Sequence, residues 1–129
     1  MSEHSLRTAL GRVSGLGSAK DGTQHWWQQR LSALALLPLA VWFALSVAGL
    51  AGAEHAQVKA WVASPVVAVL LLLFVLSGFY HLRLGLQVVI EDYVHAPGAK
   101  LALLVLNVFA CAGVGLAAAV AVLSLHFRG

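Results

Sequence analysis

Three long apolar segments dominate the pattern of hydrophobic and polar positions along the chain. They contain no Asp, Glu, Lys or Arg and cover residues 31–53, 60–80 and 101–127. At about 1.5 Å of rise per residue, each is long enough as a helix to cross about 30 Å of hydrocarbon. The middle segment continues past His81, because only Glu91–Asp92 and then Pro97–Gly98 mark its end and a turn. The pattern predicts an all-α membrane protein with three transmembrane helices, at about 31–53, 60–90 and 101–126.

In the first 29 residues, charged residues interrupt the apolar positions. These residues are predicted to form an N-terminal arm, followed by a membrane anchor over residues 30–129. Apolar residues recur in this arm at helical spacing with charges between them, which favours a short surface helix. These apolar residues are Leu6, Leu10, Val13 and Leu16. A secretory signal is not predicted, because no long apolar region occurs before Leu31.

The cations predict the orientation of the three helices. Five Lys and Arg residues lie on one side of the predicted membrane and two on the other. The larger group is Arg7, Arg12, Lys20, Arg30 and Lys100, and the smaller is Lys59 and Arg128. Because cytoplasmic loops carry the excess of positive charge, the N-terminus is predicted to be cytoplasmic.

Composition narrows the class of protein further. A chain of 129 residues that is 60% hydrophobic and 10% charged cannot form a soluble domain with a polar surface. The single Cys111 lies in the third segment and is predicted to be a small packing residue. No CxxC pair, phosphate-binding loop or nucleophile–base arrangement occurs, so no catalytic residue is predicted within this chain.

His81 is the most informative residue, because an ionisable side chain inside a membrane helix is costly and is usually functional. Small residues surround it on one face of the helix, namely Ser77, Gly78 and Gly85. Such a trough would admit a flat macrocycle, and neutral imidazole is a common axial ligand of haem iron. Alternatively, the small residues form an ordinary helix contact and His81 hydrogen-bonds a neighbouring helix. As a haem ligand, His81 would need a second ligand from another chain.

Asp92 and Tyr93 lie at the predicted cytoplasmic end of the same helix. Asp92 lies eleven positions after His81, and at about 100° per residue both lie on nearly the same face. A phenol can donate a hydrogen bond to a quinone carbonyl, and a nearby carboxylate can orient groups or relay protons. The alternative is ordinary interfacial chemistry at a helix end.

A second polar row follows another face of this helix. Arg83, Gln87 and Glu91 recur every four residues. Either Arg83 reaches along the helix toward Gln87, Glu91 and the cytoplasmic interface, or the row packs against a partner protein or cofactor carboxylates. Three helices are too few to cover both faces. The sequence therefore predicts a hydrophobic partner subunit.

The spacing from His81 to Asp92–Tyr93 resembles a known family motif, a histidine followed after ten residues by Asp-Tyr. Residues 85–95, Gly-Leu-Gln-Val-Val-Ile-Glu-Asp-Tyr-Val-His, and residues 25–33, His-Trp-Trp-Gln-Gln-Arg-Leu-Ser-Ala, extend the resemblance. The family is the small hydrophobic membrane-anchor subunit of succinate:quinone oxidoreductase (succinate dehydrogenase, respiratory complex II) in its alphaproteobacterial form. The resemblance covers nearly all of the chain from His25 onward.

That resemblance implies roles for four residues. His81 would be an axial ligand of haem b, with the other ligand from a histidine of a second, partner anchor. Tyr93 would hydrogen-bond the quinone carbonyl, and Asp92 would support that site. Arg30 would approach a haem propionate or the quinone pocket.

The resemblance also implies partners and a location. These are a flavoprotein with covalent FAD, an iron–sulfur subunit, a second hydrophobic anchor of the cytochrome b556 type and ubiquinone, in the bacterial inner membrane and without nucleic acid. This chain would anchor the soluble subunits as they pass electrons from succinate to quinone in the respiratory chain and the tricarboxylic acid cycle. Two alternatives are the anchor of a quinol:fumarate reductase and a small helical adaptor without a cofactor.

Overall fold

The computed structural model describes residues 20–128, with side chains described from residue 22. This part of the chain is all-helical, which confirms the predicted fold class. The helices are α1 (Lys20–Gly49), α2 (His55–Ala63), α3 (Pro65–Tyr93) and α4 (Pro97–Arg128). By length and composition, α1, α3 and α4 can each cross a membrane, which gives the three predicted spans. The surface helix predicted around Leu6–Leu16 lies outside the described residues.

The first helix is displaced toward the N-terminus relative to the predicted span of residues 31–53. Residues 20–29, assigned to the arm by their polarity, belong to α1. Side chains such as Gln28, Gln29 and Arg30 favour helix formation, so the helix continues from hydrocarbon into the interface without a break. At its other end α1 stops at Gly49, and Gly52 adopts a φ of 80°, which glycine tolerates at little cost.

The second predicted span is divided, which corrects its predicted start at residue 60. Residues 60–63 belong to the short helix α2, and α3 begins at Pro65. Proline disfavours helical geometry in the residue before it, and Ser64 accordingly has an extended ψ of 128°. Pro65 itself occupies the start of α3, where its missing N–H costs nothing. Hydropathy does not detect such a break, because the residues on both sides are apolar.

The predicted turn at Pro97–Gly98 is also corrected. Pro97 is the first residue of α4, so this dipeptide starts a helix instead of forming the connection. Only residues 94–96 connect α3 to α4. The connection between these two membrane-spanning helices is therefore very short.

α3 lies between α1 and α4 and packs against both. Small residues of α4, namely Cys111, Gly115 and Ala119, are buried at four-residue spacing on one face of the helix. A Cβ atom at Gly115 would lie 3.2 Å from Cβ of Phe79, so the absence of a side chain there permits the close approach. The buried Cys111 confirms its prediction as a packing residue, and its Sγ also donates to Oδ1 of Asn107 at 3.3 Å.

The described helices form a layer with little interior of its own. No Cα atom of α1 comes within 8 Å of a Cα atom of α4. Large apolar side chains are exposed along all three long helices, including Leu34, Leu76 and Leu116. Without a bilayer or other chains these surfaces would face water, so the fold is that of a multi-pass membrane protein.

Candidate functional site

His81 lies on the side of α3 that packs against α1. Its Nδ1 is 2.8 Å from Oγ of Ser32 on α1, and the Ser32 hydroxyl also lies 2.9 Å from the backbone carbonyl oxygen of Gln29. Ser32 is buried and His81 is half-buried. Within the described part of the chain, Nε2 of His81 has no hydrogen-bond partner. The hydrogen bond between His81 and a neighbouring helix, given above as an alternative, is therefore present. It uses only one of the two ring nitrogens.

The two glycines near His81 on α3 both lie beside α1. A Cβ atom at Gly78 would lie 3.8 Å from Cδ2 of Leu36, and one at Gly85 would lie 4.0 Å from Nε2 of Gln29. Atoms of α1 thus lie at ordinary contact distance from both glycine positions, and the trough for a macrocycle along Ser77, Gly78 and Gly85 stays a prediction.

A cavity of about 380 Å³ lies beside His81, on one side of the contact between α1 and α3. Its lining consists of Trp26, Gln29, Arg30, Ala33 and His81. The guanidinium carbon of Arg30 is 5.3 Å from the centroid of the Trp26 ring, a cation–π distance. The structure thus brings together His81 and Arg30, which lie on different helices.

The second polar row lines another cavity, of about 470 Å³, which includes Arg83, Gln87, Glu91 and His25. Gln87 Nε2 donates to Glu91 Oε1 at 3.0 Å. Nε of Arg83 and Nε2 of His25 are buried without a hydrogen-bond partner among the described residues. The row therefore lies apart from the His81 cavity.

Asp92 and Tyr93 are the last two residues of α3 and are both exposed. The Tyr93 side chain is 79% exposed, and neither residue has a side-chain hydrogen bond to another described residue. At about 1.5 Å per residue, Asp92 lies about 16 Å along the helix from His81. This chain therefore presents the pair at one end of α3 but does not build a closed pocket around it.

Two polar residues were missed in the sequence. Ser32 belongs to the segment that resembles the family, but its contact with His81 becomes visible only when α1 packs on α3. Asn107 is buried on α4 and donates from Nδ2 to the backbone oxygen of Arg83 at 2.9 Å. The sequence could have indicated Asn107, because it is a polar amide within the apolar segment of residues 101–127.

His81 is the candidate metal ligand. Among residues 22–128, no group of three or more His, Cys, Asp or Glu side chains could hold a metal ion. Neutral imidazole with one free nitrogen can still supply a single axial bond to haem iron.

Comparison with known proteins gives consistent matches. The family model described as succinate dehydrogenase/fumarate reductase transmembrane subunit matches residues 4–117. The succinate dehydrogenase hydrophobic membrane anchor subunit of Paracoccus denitrificans is 37% identical over 97 residues, which are 75% of this chain and 75% of the relative. The protein of the same name from Rickettsia bellii is 31% identical over 91 residues, 70% of this chain and 73% of the relative.

A more distant relative is the succinate dehydrogenase membrane anchor subunit of Reclinomonas americana. It is 30% identical over 93 residues, which are 64% of this chain and 71% of the relative. No solved structure matches the chain significantly.

Proposed function

This chain belongs to the family of succinate dehydrogenase/fumarate reductase transmembrane subunits, and on that basis we propose that it is the small hydrophobic membrane anchor of a succinate:quinone oxidoreductase in the bacterial inner membrane. The observation that carries this proposal is the family match over residues 4–117, which includes Arg30 on α1 and all of α3. The proposed partners are a flavoprotein with FAD, an iron–sulfur subunit and a second hydrophobic anchor of the cytochrome b type. Succinate would be oxidised in the soluble subunits, and this chain would help to form the site where ubiquinone is reduced.

We further propose that the chain contributes one axial ligand to a shared haem b. The residues fit this group, because Nδ1 of His81 is held by Ser32 while Nε2 has no partner among the described residues. Arg30 shares a cavity with His81 and offers a cation that suits a carboxylate such as a propionate. When bound, haem supplies one-electron redox chemistry. His81 and Arg30 would hold the haem, and the apolar helices of this chain would exclude water from it.

The proposed quinone contact is at the exposed end of α3. Tyr93 would donate its phenolic hydrogen to a quinone carbonyl, and Asp92 would orient the bound headgroup or supply protons. The exposure of Tyr93 supports a site completed by other subunits, because its hydroxyl is available to a partner chain or a ligand. The Arg30 contact could serve the same pocket instead of a propionate.

The test of this function is purification of the intact complex from the membrane through a tag on this chain. We expect the companions to include a flavoprotein, an iron–sulfur protein and a second small anchor. The reduced complex should show b-type haem absorbance, and it should reduce ubiquinone with succinate. A preparation without those companions and without haem would contradict the proposal and favour the adaptor without a cofactor.

A quinol:fumarate reductase anchor is the second candidate, because the matched family includes fumarate reductase subunits. Both reactions use the same kinds of subunit in opposite directions. The ratio of succinate oxidation with ubiquinone to fumarate reduction with quinol, measured on one purified complex, separates them. The names of the similar relatives favour succinate oxidation.

A further inference from the structure

Among the described residues, Ser32 is the only one whose side chain forms a hydrogen bond with the His81 side chain. We infer that Ser32 is a positioning residue for His81, which keeps the imidazole in the tautomer with hydrogen on Nδ1 and leaves the Nε2 lone pair for iron. This inference rests on the proposed haem function. It concerns which nitrogen binds and how strongly, which family membership alone does not determine.

The tautomer follows from the two contacts of one hydroxyl. Ser32 Oγ is 2.9 Å from the carbonyl oxygen of Gln29, which can only accept a hydrogen bond. The single hydroxyl hydrogen is therefore used for that carbonyl. Oγ is also 2.8 Å from Nδ1 of His81, and it can take part in this second bond only as an acceptor. Both bonds form together only when Nδ1 carries the hydrogen.

A neutral imidazole carries hydrogen on one ring nitrogen, so Nε2 of His81 then holds a free lone pair. This is the form of histidine that binds a metal through Nε2. The bond at Nδ1 also limits rotation of the ring, because rotation would separate Nδ1 from Oγ. Ser32 thereby sets both the tautomer and the orientation of the proposed ligand.

Burial strengthens this contact. Ser32 is only 8% exposed, so water competes little for its hydroxyl, and in a low-dielectric environment a hydrogen bond is electrostatically stronger. The packing of α1 against α3 brings the short serine side chain within reach of the ring.

The electronic consequence can be measured. When the ring N–H that does not bind the metal donates a hydrogen bond to an acceptor, the metal-binding histidine becomes more basic. A more basic ligand stabilises ferric more than ferrous iron, so the bond should lower the midpoint potential of the haem. Removal of the Ser32 hydroxyl should raise that potential without removing either axial ligand.

The test uses the intact purified complex with Ser32→Ala, Ser32→Cys and Ser32→Thr. Redox titration gives the midpoint potential, and low-temperature electron paramagnetic resonance of ferric haem reports ligand strength and ring orientation. We expect Ser32→Ala to keep the b-type bands, raise the potential and shift the resonance. Ser32→Cys should shift the potential in the same direction by less, because sulfur is a weak acceptor. Ser32→Thr keeps the hydroxyl and should restore wild-type values.

Ser46→Ala is the matched control, because Ser46 lies further along the same helix and does not contact His81. It should leave both the potential and the resonance unchanged. If the Ser32→Ala complex fails to assemble, Ser32→Cys decides, with a raised potential as support and an unchanged potential as contradiction. Wild-type potential and resonance in an assembled Ser32→Ala complex would overturn the inference.

A further variant, His81→Leu, separates failure of this inference from failure of the proposed function. If His81→Leu leaves the haem spectrum unchanged, the ligand proposal is wrong and the inference about Ser32 is wrong with it. If His81→Leu removes the spectrum while Ser32→Ala changes nothing, only the positioning role is wrong.

Discussion

A single oxygen atom distinguishes Tyr93 from phenylalanine, and the proposed quinone contact depends on it. Tyr93→Phe should lower the efficiency of quinone reduction by about 5- to 150-fold, the equivalent of roughly 1 to 3 kcal/mol for one lost hydrogen bond. Folding should be unaffected, since the side chain is 79% exposed in this chain. The measurement compares ubiquinone reduction by succinate in wild-type and variant complexes.

An artificial acceptor that takes electrons from the soluble subunits provides the internal control for Tyr93→Phe. Succinate oxidation with that acceptor should stay at the wild-type rate. Asp92→Asn should also slow the quinone reaction, because it removes the neighbouring negative charge and a proton acceptor. Full quinone activity in an intact Tyr93→Phe complex would show that this tyrosine is an interfacial anchor.

His81 is tested by its replacement with leucine, which cannot coordinate iron. His81→Leu should remove or strongly alter the b-type absorbance of the purified complex, because one axial ligand is lost. His55→Leu is a suitable control, since His55 is exposed at the start of α2 and far along the chain from this contact. The control should keep the wild-type spectrum.

At the scale of elements, the contact between α3 and α4 depends on a missing side chain. A Cβ atom at Gly115 would lie 3.2 Å from Cβ and Cγ of Phe79, whereas one at Gly113 would have nothing within 4 Å. Gly115→Val should therefore force the helices apart and destabilise the complex by about 1 to 3 kcal/mol, as overpacking usually does. Thermal inactivation of the detergent-purified complex measures this effect.

Gly113→Val places the same side chain on the same helix and is the matched control for Gly115→Val. It should change the inactivation temperature little, because Gly113 faces no described neighbour. Equal losses for the two variants would contradict the proposed role of Gly115 in helix approach.

The elements also show what the sequence could predict. The three spans followed from the lengths of the apolar segments, because the hydrocarbon thickness sets how many residues a helix needs. The break at Ser64 and the extension of α1 to Lys20 were missed, because hydropathy reports solvent preference and not backbone continuity. Proline geometry could have indicated the break, since Pro65 disfavours a helical residue before it.

The candidate site was predictable only in part, for a related reason. His81 can be recognised from the sequence alone, because an ionisable side chain within an apolar membrane helix is unfavourable in free energy and is therefore usually functional. Its contact with Ser32 and the cavity shared with Arg30 depend on how α1 packs against α3, and no spacing within a single helix encodes that. Asp92 and Tyr93 remain predictions, because this chain alone leaves them exposed.

At the scale of the whole molecule, the cation count predicts which end of the layer faces the cytoplasm. Cysteines introduced at Ala96 or Ala99 should be labelled from the cytoplasmic side, or be protected there by the soluble subunits. A cysteine at Ala56 should be labelled from outside. All three positions are exposed in this chain, and the native Cys111 is buried and provides a low background. Labelling on the opposite sides would reverse the orientation and separate Tyr93 from its proposed electron donor.

The separation of α1 from α4 makes the abundance of this chain depend on its partners. Because no Cα atom of one lies within 8 Å of the other, both broad sides of the layer lack cover from within the described chain. A partner that binds only the folded chain stabilises it by mass action, so stability rises with the concentration of that partner. Chains made in excess of the proposed second anchor would then be substrates for membrane proteases, and the stoichiometry of the complex would be set by degradation as well as by synthesis.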